Sequence, residues 1–556
     1  MANLTACSRT LLMPEIVRMI CDEANTESFM YSIPPQNTLV SLARTSRMFS
    51  DPALDIIWRE QDSLAPLVKC MPDTLWEEKI VRHGTNIHLR RPIISTDIPR
   101  LLFYSARIRK LHLYTYSRVG AVHRDFLKAL DMCLLPGVLM PKLSDLKWSP
   151  EPEEAMAMSF IRHLLGPQSQ KIDLDLEASA PALSFFPYMK ASCPLVSDFR
   201  LVLPTDQLTI PVMSDVVCGW QRLQDLTIGN LDLNGFVHVA QLPDLKQLCL
   251  GPVADTHSPT HLPDFLVKPS FPALEGFELA CDTAQFCVGI IKVVSSRQLK
   301  TLALHPLADW TALAWEEIIT ALHDCIDHKH LDRIEVEQQG ERTPPIIATP
   351  FILTPATLRP LLKFNLSVIR FDLDPGVEVD DDFLAEIATE WPNLNWLSFG
   401  TENLTTRESK VTLNCLIPFA RHCPRLASLC IRMDVSEVPV FDQMAGDRIS
   451  HGLRELHVGA SPIHAGHTTP VAAFLSNLFI GLQYIFSPDK AMLLEPFKTY
   501  ETNWNRVMEM VPVFCSVRTQ EEDFWTEELG GGEDSDEDDE QSNVSDDVDA
   551  NSSTTL

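Results

Sequence analysis

Three hexamers in the middle of the chain share one apolar pattern: "LKQLCL" (Leu245–Leu250), "LEGFEL" (Leu274–Leu279) and "LKTLAL" (Leu299–Leu304). Each has apolar residues at its first, fourth and sixth positions, and the alternation at its end is typical of a half-buried β-strand. One such hexamer is a weak indication, because leucine is common. These three start 29 and 25 residues apart, which indicates a repeated structural unit.

The same pattern returns at nine further places between residues 108 and 458. These hexamers start at Ile108, Leu143, Val196, Leu223, Leu331, Leu366, Leu394, Leu426 and Leu453. One gap between starts is 53 residues long, and "SQKIDLDL" (Ser169–Leu176) divides it with apolar residues at Ile172 and Leu174. The chain therefore predicts about a dozen equivalent strands.

Segments between the hexamers predict the helices that return the chain to the next parallel strand. "DDFLAEIATEW" from Asp381 and "LNCLIPFARHC" from Leu413 have apolar residues on one helical face. Pro precedes several hexamers by one or two residues and ends the helix before it. We predict an α/β solenoid over residues 106–490, with "NWNRVMEMVPVF" from Asn503 in a helix at 491–518 that covers the last repeat.

The hexamer resembles the core of the longer, helix-containing leucine-rich repeats. The Asn or Cys that usually follows the strand is not regular here, so the resemblance is to a divergent form. It implies a solenoid with parallel strands on one side and helical returns on the other.

The first 60 residues have a different pattern. "LMPEIVRMIC" (Leu12–Cys21) and "TLVSLARTSRMFSDPALDIIW" (Thr38–Trp58) have apolar residues at helical spacing. They predict three amphipathic helices, the first with Pro14 in its first turn, the second capped by Thr38 and the third by Asp51. Three such helices are too few to bury a core alone.

The order of these residues resembles the F-box: L-x-P-E-I-x-x-x-I, then L-x-x-L-A-x-x-S-R-x-F, then P-A-L-x-x-x-W. It is similar to the F-box at the N-terminus of many fungal proteins that continue into divergent leucine-rich repeats. Met13 departs from the family, which usually has Pro directly after the Leu, and the loop "ANTESFMYSIPPQN" is longer than in compact members. The resemblance is specific over Leu12 to about Glu60 and architectural beyond that.

The resemblance implies that these helices dock on a Skp-type adaptor, which joins them to a cullin-RING ubiquitin ligase. By position, the adaptor-binding residues would be Leu12, Pro14, Ile16, Val17, Ile20, Leu39, Leu42, Ala43 and Trp58. The alternative for each residue is packing against the first repeats, since an apolar helix face is more often core than interface.

Non-core positions of the strands line the concave face of such a solenoid. Candidate substrate-binding residues there are Arg333, Glu335, Arg370, Trp396, Glu455 and His457. Trp and Arg are favoured anchors in protein recognition, whereas most surface positions contribute little to binding and are simply solvated.

Composition bounds the function. The net charge is −29, and fifteen Asp and Glu with no Lys or Arg follow residue 520, which predicts a disordered acidic tail at 519–556. The tail is either solubilising or a competitor for a basic surface. Neither the tail nor the rest of the chain carries the clustered Lys and Arg of a nucleic-acid site. The absence of a signal-peptide pattern and of a membrane-length apolar segment predicts a cytoplasmic or nuclear protein.

No catalytic motif or cofactor site is predicted. The chain contains no P-loop, G-x-G-x-x-G, G-x-S-x-G or C-x-x-C pattern, and "HDCIDHKH" from His323 has the wrong spacing for a helical metal pair. We therefore expect a non-enzymatic substrate receptor with three units at 1–60 (F-box), 61–105 (helical linker) and 106–490 (repeats). The alternative is a leucine-rich-repeat scaffold or ligand-sensing protein that takes no part in ubiquitination.

Overall fold

The computed structural model describes most of the 556 residues. The described ranges are 13–26, 35–81, 84–113, 120–135, 139–149, 158–176, 178–203, 208–253, 270–294, 296–338, 353–373, 376–400, 409–439, 452–487 and 496–530.

Fifteen strands form one parallel sheet, and three more form a small second sheet. The strands are β1 (Glu60–Gln61), β2 (Trp76–Val81), β3 (Gly84–Leu89), β4 (Lys110–Leu113), β5 (Ala121–Val122), β6 (Asp145–Trp148), β7 (Lys171–Asp175), β8 (Asp198–Val202), β9 (Asp225–Ile228), β10 (Gln247–Val253), β11 (Gly276–Cys281), β12 (Thr301–Pro306), β13 (Arg333–Glu337), β14 (Val368–Asp372), β15 (Trp396–Ser398), β16 (Ser428–Cys430), β17 (Glu455–His457) and β18 (Tyr484–Phe486).

The large sheet follows chain order from β1 to β18, leaving out β2, β3 and β5. Such a sequential parallel order places every right-handed crossover on the same side of the sheet. All twelve hexamers and the "SQKIDLDL" segment coincide with strands, so the predicted α/β solenoid is confirmed. In the large sheet, two strands were not predicted: β1, which pairs with β4, and β18, which pairs with β17. The three strands of the small sheet were not predicted either.

Helices precede the sheet, return the chain between strands and close its end. They are α1 (Pro14–Thr26), α2 (Pro35–Thr45), α3 (Arg47–Ile57), α4 (Ala65–Lys69), α5 (Ile98–Ser105), α6 (Arg124–Cys133), α7 (Ala180–Ser192), α8 (Thr209–Val217), α9 (Leu233–Gln241), α10 (Ala284–Val293), α11 (Ala312–Cys325), α12 (Pro355–Leu358), α13 (Asp381–Glu390), α14 (Leu416–His422), α15 (Thr468–Leu478) and α16 (Phe497–Gly530).

The helices that connect successive strands bury the apolar residues that the sequence pattern placed on one helical face. In α13 the buried residues include Phe383, Leu384 and Ile387, and the N-cap carboxylate of Asp380 accepts a hydrogen bond from the Phe383 N–H at 2.9 Å. The predicted return from Leu413 starts as a short 3-10 helix and continues as α14.

Buried tryptophans tie successive repeats together. The indole N–H of Trp220 donates to the Cys193 carbonyl at 2.9 Å, and that of Trp391 donates to the Phe364 carbonyl at 3.0 Å. Each acceptor lies 27 residues earlier, in the preceding repeat. The bond satisfies a carbonyl that the end of a helix or turn leaves without an intrahelical partner.

Four predicted boundaries require correction. The second helix begins at Pro35, not Thr38, and the third begins at Arg47 with Ser46 as N-cap and continues through Pro52. Residues 61–105 are not purely helical, because β2 and β3 form an antiparallel hairpin there. The last helix extends to Gly530, beyond the predicted start of the tail at 519, and residues 531–556 lie outside the described residues.

Candidate functional site

The N-terminal helices have a small core of their own. Val17 and Cys21 of α1, Leu39 of α2, and Ala53 and Ile56 of α3 are buried together. This differs from the expectation that three helices cannot bury a core. The cluster has five buried residues, and it does not stand alone: Ile57 packs against both this cluster and the core of the repeats.

Trp58 belongs to the core of the repeats. Its side chain is 8% exposed and its ring centroid lies 4.9 Å from that of Tyr104 in α5. The guanidinium of Arg107, just before β4, forms ion pairs with Asp51 at 2.7 Å and with Asp55. Helix α3 is therefore fixed to the start of the solenoid by packing and by charge.

The predicted adaptor-binding residues separate into two groups. Val17 and Leu39 are each 1% exposed and Trp58 is buried, so these three side chains pack inside this structure, and their assignment to an adaptor surface stays a prediction. Pro14 is exposed, whereas Ile16, Ile20, Leu42 and Ala43 are half-buried. Leu12 lies outside the described residues.

Further apolar side chains of α1 and α2 are exposed beside the predicted adaptor-binding residues that remain accessible. Met19 is 69% exposed, on the same flank of α1 as Ile16 and Ile20, and Val40 is 43% exposed, three residues before Ala43 in α2. We call Met13, Ile16, Met19, Ile20, Val40 and Met48 the N-terminal apolar surface. Met19 follows the apolar helical spacing of the first helix but is not among the predicted adaptor-binding residues. Val40 and Met48 lie outside the spacing pattern, because such a pattern identifies the buried stripe of a helix and not its exposed margin.

The second candidate site is the face of the large sheet opposite the returning helices, which we call the open face. Its side chains form two rows in register across the strands. The first row is Glu60, Lys110, Asp145, Lys171, Asp198, Asp225, Gln247, Gly276, Thr301, Arg333, Val368, Trp396, Ser428, Glu455 and Tyr484. The second row is His112, Lys147, Asp173, Arg200, Thr227, Cys249, Glu278, Ala303, Glu335, Arg370, Ser398, Cys430, His457 and Phe486.

Charges on the first strands largely neutralise one another. Lys110 pairs with Glu60 at 2.7 Å, Lys147 with Asp173 at 3.2 Å and Lys171 with Asp198 at 2.9 Å. The second and third of these pairs line a groove of about 380 Å³ across β4 to β9. Burial, and then the neighbouring Asp198 carboxylate, raise the pKa of Asp225 in this groove. The ionised form of Asp225 is therefore destabilised by the folded state.

We expect Asp225→Asn to raise the melting temperature at neutral pH. An acid whose folded-state pKa is raised opposes folding once it is ionised, so the gain should be present above that raised pKa. It should vanish below the ordinary carboxyl pKa of 3.8, where the group is protonated in both states. Melting curves of both proteins across this pH range measure the effect.

Glu278→Gln is the control of opposite sign. The hydrogen bond from His305 lowers the pKa of Glu278, so its carboxylate stabilises the fold at neutral pH and its removal should lower the melting temperature there. A gain for Asp225→Asn that persisted below pH 3.8 would mean that asparagine improves packing and that the charge is irrelevant.

The predicted substrate-binding residues lie on the open face, on β13 to β17, but they are not equally available. Arg333 pairs with Glu335 on its own strand at 2.9 Å. Arg370 pairs with Asp372 at 2.5 Å and with Glu337 at 3.7 Å. Trp396, Glu455 and His457 lie on β15 and β17, nearer the end of the sheet, where the rows turn from charged to aromatic.

Within the described residues, no group of three or more His, Cys, Asp or Glu is arranged to hold a metal ion. The histidines of "HDCIDHKH" have structural contacts: His328 is hydrogen-bonded to the His323 carbonyl at 2.7 Å, and its ring packs against Phe364 at 4.6 Å. Of the helices in the described part of the chain, none combines the length and apolar character needed to cross a bilayer.

Comparison with known proteins gives little. No protein-family model and no curated protein matches the chain. Among solved structures, the chain is similar to one in the crystal structure of the Rad7 and Elc1 complex in yeast, with 15% identity over 70% of this chain and 79% of that chain and a TM-score of 0.32. A similarity of this size supports no inference about function.

Proposed function

We propose that this protein is the substrate-recognition subunit of a Skp-cullin-F-box ubiquitin ligase. Its N-terminal helices bind the Skp-type adaptor, and its open face binds a target protein. It catalyses no reaction itself and acts by holding a target lysine close to the conjugating enzyme that the ligase carries.

The observation that carries the proposal is the N-terminal apolar surface within an F-box-like sequence. Met19 and Val40 are exposed although α1 and α2 have a core of their own, and large exposed apolar side chains that cluster on one unit are typical of a protein-binding surface. Because α3 is fixed to the first repeats by Trp58 and Arg107, an adaptor bound at this surface would be held in a defined position relative to the open face.

The alternative is a leucine-rich-repeat scaffold in which the N-terminal helices only cover the first repeat. The burial of Trp58 favours a covering role for the end of α3. It does not account for the exposed apolar residues of α1 and α2, which a simple cap would replace with polar side chains. Adaptor binding therefore distinguishes the two functions.

We expect the double variant Met19→Asp, Val40→Asp to lose capture of a recombinant Skp-type adaptor by at least about tenfold, because a carboxylate buried in an apolar interface has no partner. Both side chains are exposed, Met19 at 69% and Val40 at 43%, so the melting temperature should change little. Co-purification and titration of the full-length chain with the adaptor measure the effect.

Met132→Asp is the matched control, since Met132 is 90% exposed on α6, outside the N-terminal helices. It should bind the adaptor as the unchanged chain does. If the double variant also binds normally, the surface is misassigned. If the unchanged chain does not bind any Skp-type adaptor, the ligase proposal is wrong and the scaffold function is favoured.

A further inference from the structure

Aromatic side chains are concentrated at the end of the open face. Trp396 on β15 is 40% exposed, and Tyr484 and Phe486 on β18 are 51% and 43% exposed. The His457 ring on β17 is stacked on Phe486 at 4.5 Å, and Tyr484 lies 5.9 Å from Phe486 in a nearly parallel plane. Large exposed aromatic residues clustered on one face are typical of a binding site.

Small residues separate the two aromatic sides. In the first row Ser428 follows Trp396, and in the second row Ser398 and Cys430 precede His457. All three small side chains are at most 5% exposed, so they lie beneath the larger side chains around them, at the base of the surface between Trp396 and the ring cluster of β17 and β18. We call this feature the aromatic trough. Two strand spacings, from β15 to β17, make it roughly 10 Å wide at the backbone, enough for one extended polypeptide segment.

A carboxylate lies at the wall of the trough. Glu455 occupies the first row directly beside Tyr484, and its side chain is 43% exposed. Within the described residues, the His457 ring lies 3.6 Å from this carboxylate. Glu335, on the same face, is by contrast bonded to the Arg333 guanidinium at 2.9 Å. The trough therefore combines exposed aromatic rings with an accessible negative charge.

We propose that the aromatic trough binds an extended protein segment through an arginine side chain. The guanidinium pairs with the Glu455 carboxylate and lies against the rings of Tyr484 and Phe486, while the neighbouring residues of the segment extend over β16 towards Trp396. A planar guanidinium can stack on a ring and donate to a carboxylate at once, which an ammonium cannot do as well. The net charge of −29 favours the approach of a cationic segment.

This inference rests on the proposed function only in taking the segment to belong to a ubiquitination target. Recognition of arginine by the trough does not need the adaptor. The two proposals can therefore fail separately.

The test uses the full-length chain and fluorescein-labelled nine-residue peptides of Gly and Ser with one central residue varied. We expect the arginine peptide to bind at least about tenfold more tightly than the citrulline peptide, which keeps the shape and removes the charge, with the lysine peptide between them. Fluorescence polarisation at low ionic strength measures the three affinities.

Two substitutions locate the site. Glu455→Gln should weaken arginine-peptide binding about tenfold, and Tyr484→Leu about threefold through the loss of one ring. Glu386→Gln is the matched control, because this carboxylate lies on the helix α13, away from the open face, and pairs with Arg359 at 2.9 Å. It should leave the affinity unchanged.

Equal binding of the arginine and citrulline peptides would overturn the proposal, and so would no binding of the arginine peptide or an affinity unaffected by Glu455→Gln. Adaptor capture is measured on the same proteins. Capture retained with no arginine selectivity rejects the trough alone, whereas arginine selectivity without capture rejects the ligase function alone.

Discussion

Replacing Trp504 by alanine is expected to lower the free energy of unfolding by roughly 3–5 kcal/mol, the range for a large aromatic side chain removed from a core. Trp504 is 1% exposed in α16, the helix that covers the end of the solenoid. Its indole N–H donates to the Ser461 carbonyl at 2.9 Å, and the adjacent Asn503 amide donates to the Ile463 carbonyl at 2.9 Å. The variant loses both packing and a buried hydrogen bond.

The loss should be large because α16 closes the array. Repeats bury each other's cores, so the last one is exposed unless a different element covers it. The urea midpoint of the full-length chain, followed by circular dichroism, measures the change. Trp504→Phe keeps most of the ring but leaves the Ser461 carbonyl without its donor, and we expect a smaller loss of about 1–3 kcal/mol.

Trp396→Ala is the control, since it removes a tryptophan that is 40% exposed and should change stability by no more than about 0.5 kcal/mol. An unchanged midpoint for Trp504→Ala would mean that α16 does not stabilise the end of the solenoid.

The repeat strands could be predicted because each one carries its own signal. Leu248 and Leu250, for example, alternate with outward residues and are buried as expected. Strand β1 carries no such signal: Glu60 and Gln61 are polar, and they pair with β4 only because α3 ends beside it. Whether a segment of two residues forms a strand therefore depends on its neighbours in the fold and not on its own sequence.

Strand β18 was missed although a partial signal exists. Leu482 and Ile485 hold the first and fourth apolar positions, and Leu482 follows Leu453 by 29 residues, within the repeat period. The sixth position is Ser487, so the hexamer is incomplete. Because β18 was not predicted, Tyr484 and Phe486 were not predicted to lie on the open face, and these two residues form one side of the aromatic trough.

An apolar helix face does not reveal what covers it. Val17 and Ile16 are adjacent and equally apolar, yet Val17 is buried between the N-terminal helices and Ile16 is half-exposed. The difference depends on how the three helices pack, which spacing alone does not determine. The sequence could therefore identify the N-terminal unit as a candidate site but could not divide its core from its surface.

Trp58→Ala tests that division directly. We expect a loss of roughly 3–5 kcal/mol in the free energy of unfolding, because the ring is buried against Tyr104 in the core of the repeats. If Trp58 were instead an adaptor contact, the substitution would weaken adaptor capture and leave stability unchanged. Chemical unfolding and adaptor titration of the full-length variant give the two readouts.

Met19→Ala is the matched control, since it shortens a side chain that is 69% exposed and should not affect unfolding. Two attachments of α3 remain in the Trp58→Ala variant. Ile57 packs against the core of the repeats, and Arg107 pairs with Asp51 and Asp55 in ion pairs that are partly exposed and screened by salt. We therefore expect limited proteolysis between α3 and the first repeats to be faster in this variant, and faster still at high ionic strength. Cleavage at the same rate as in the unchanged chain, at either salt concentration, would mean that Trp58 does not hold the N-terminal helices to the solenoid.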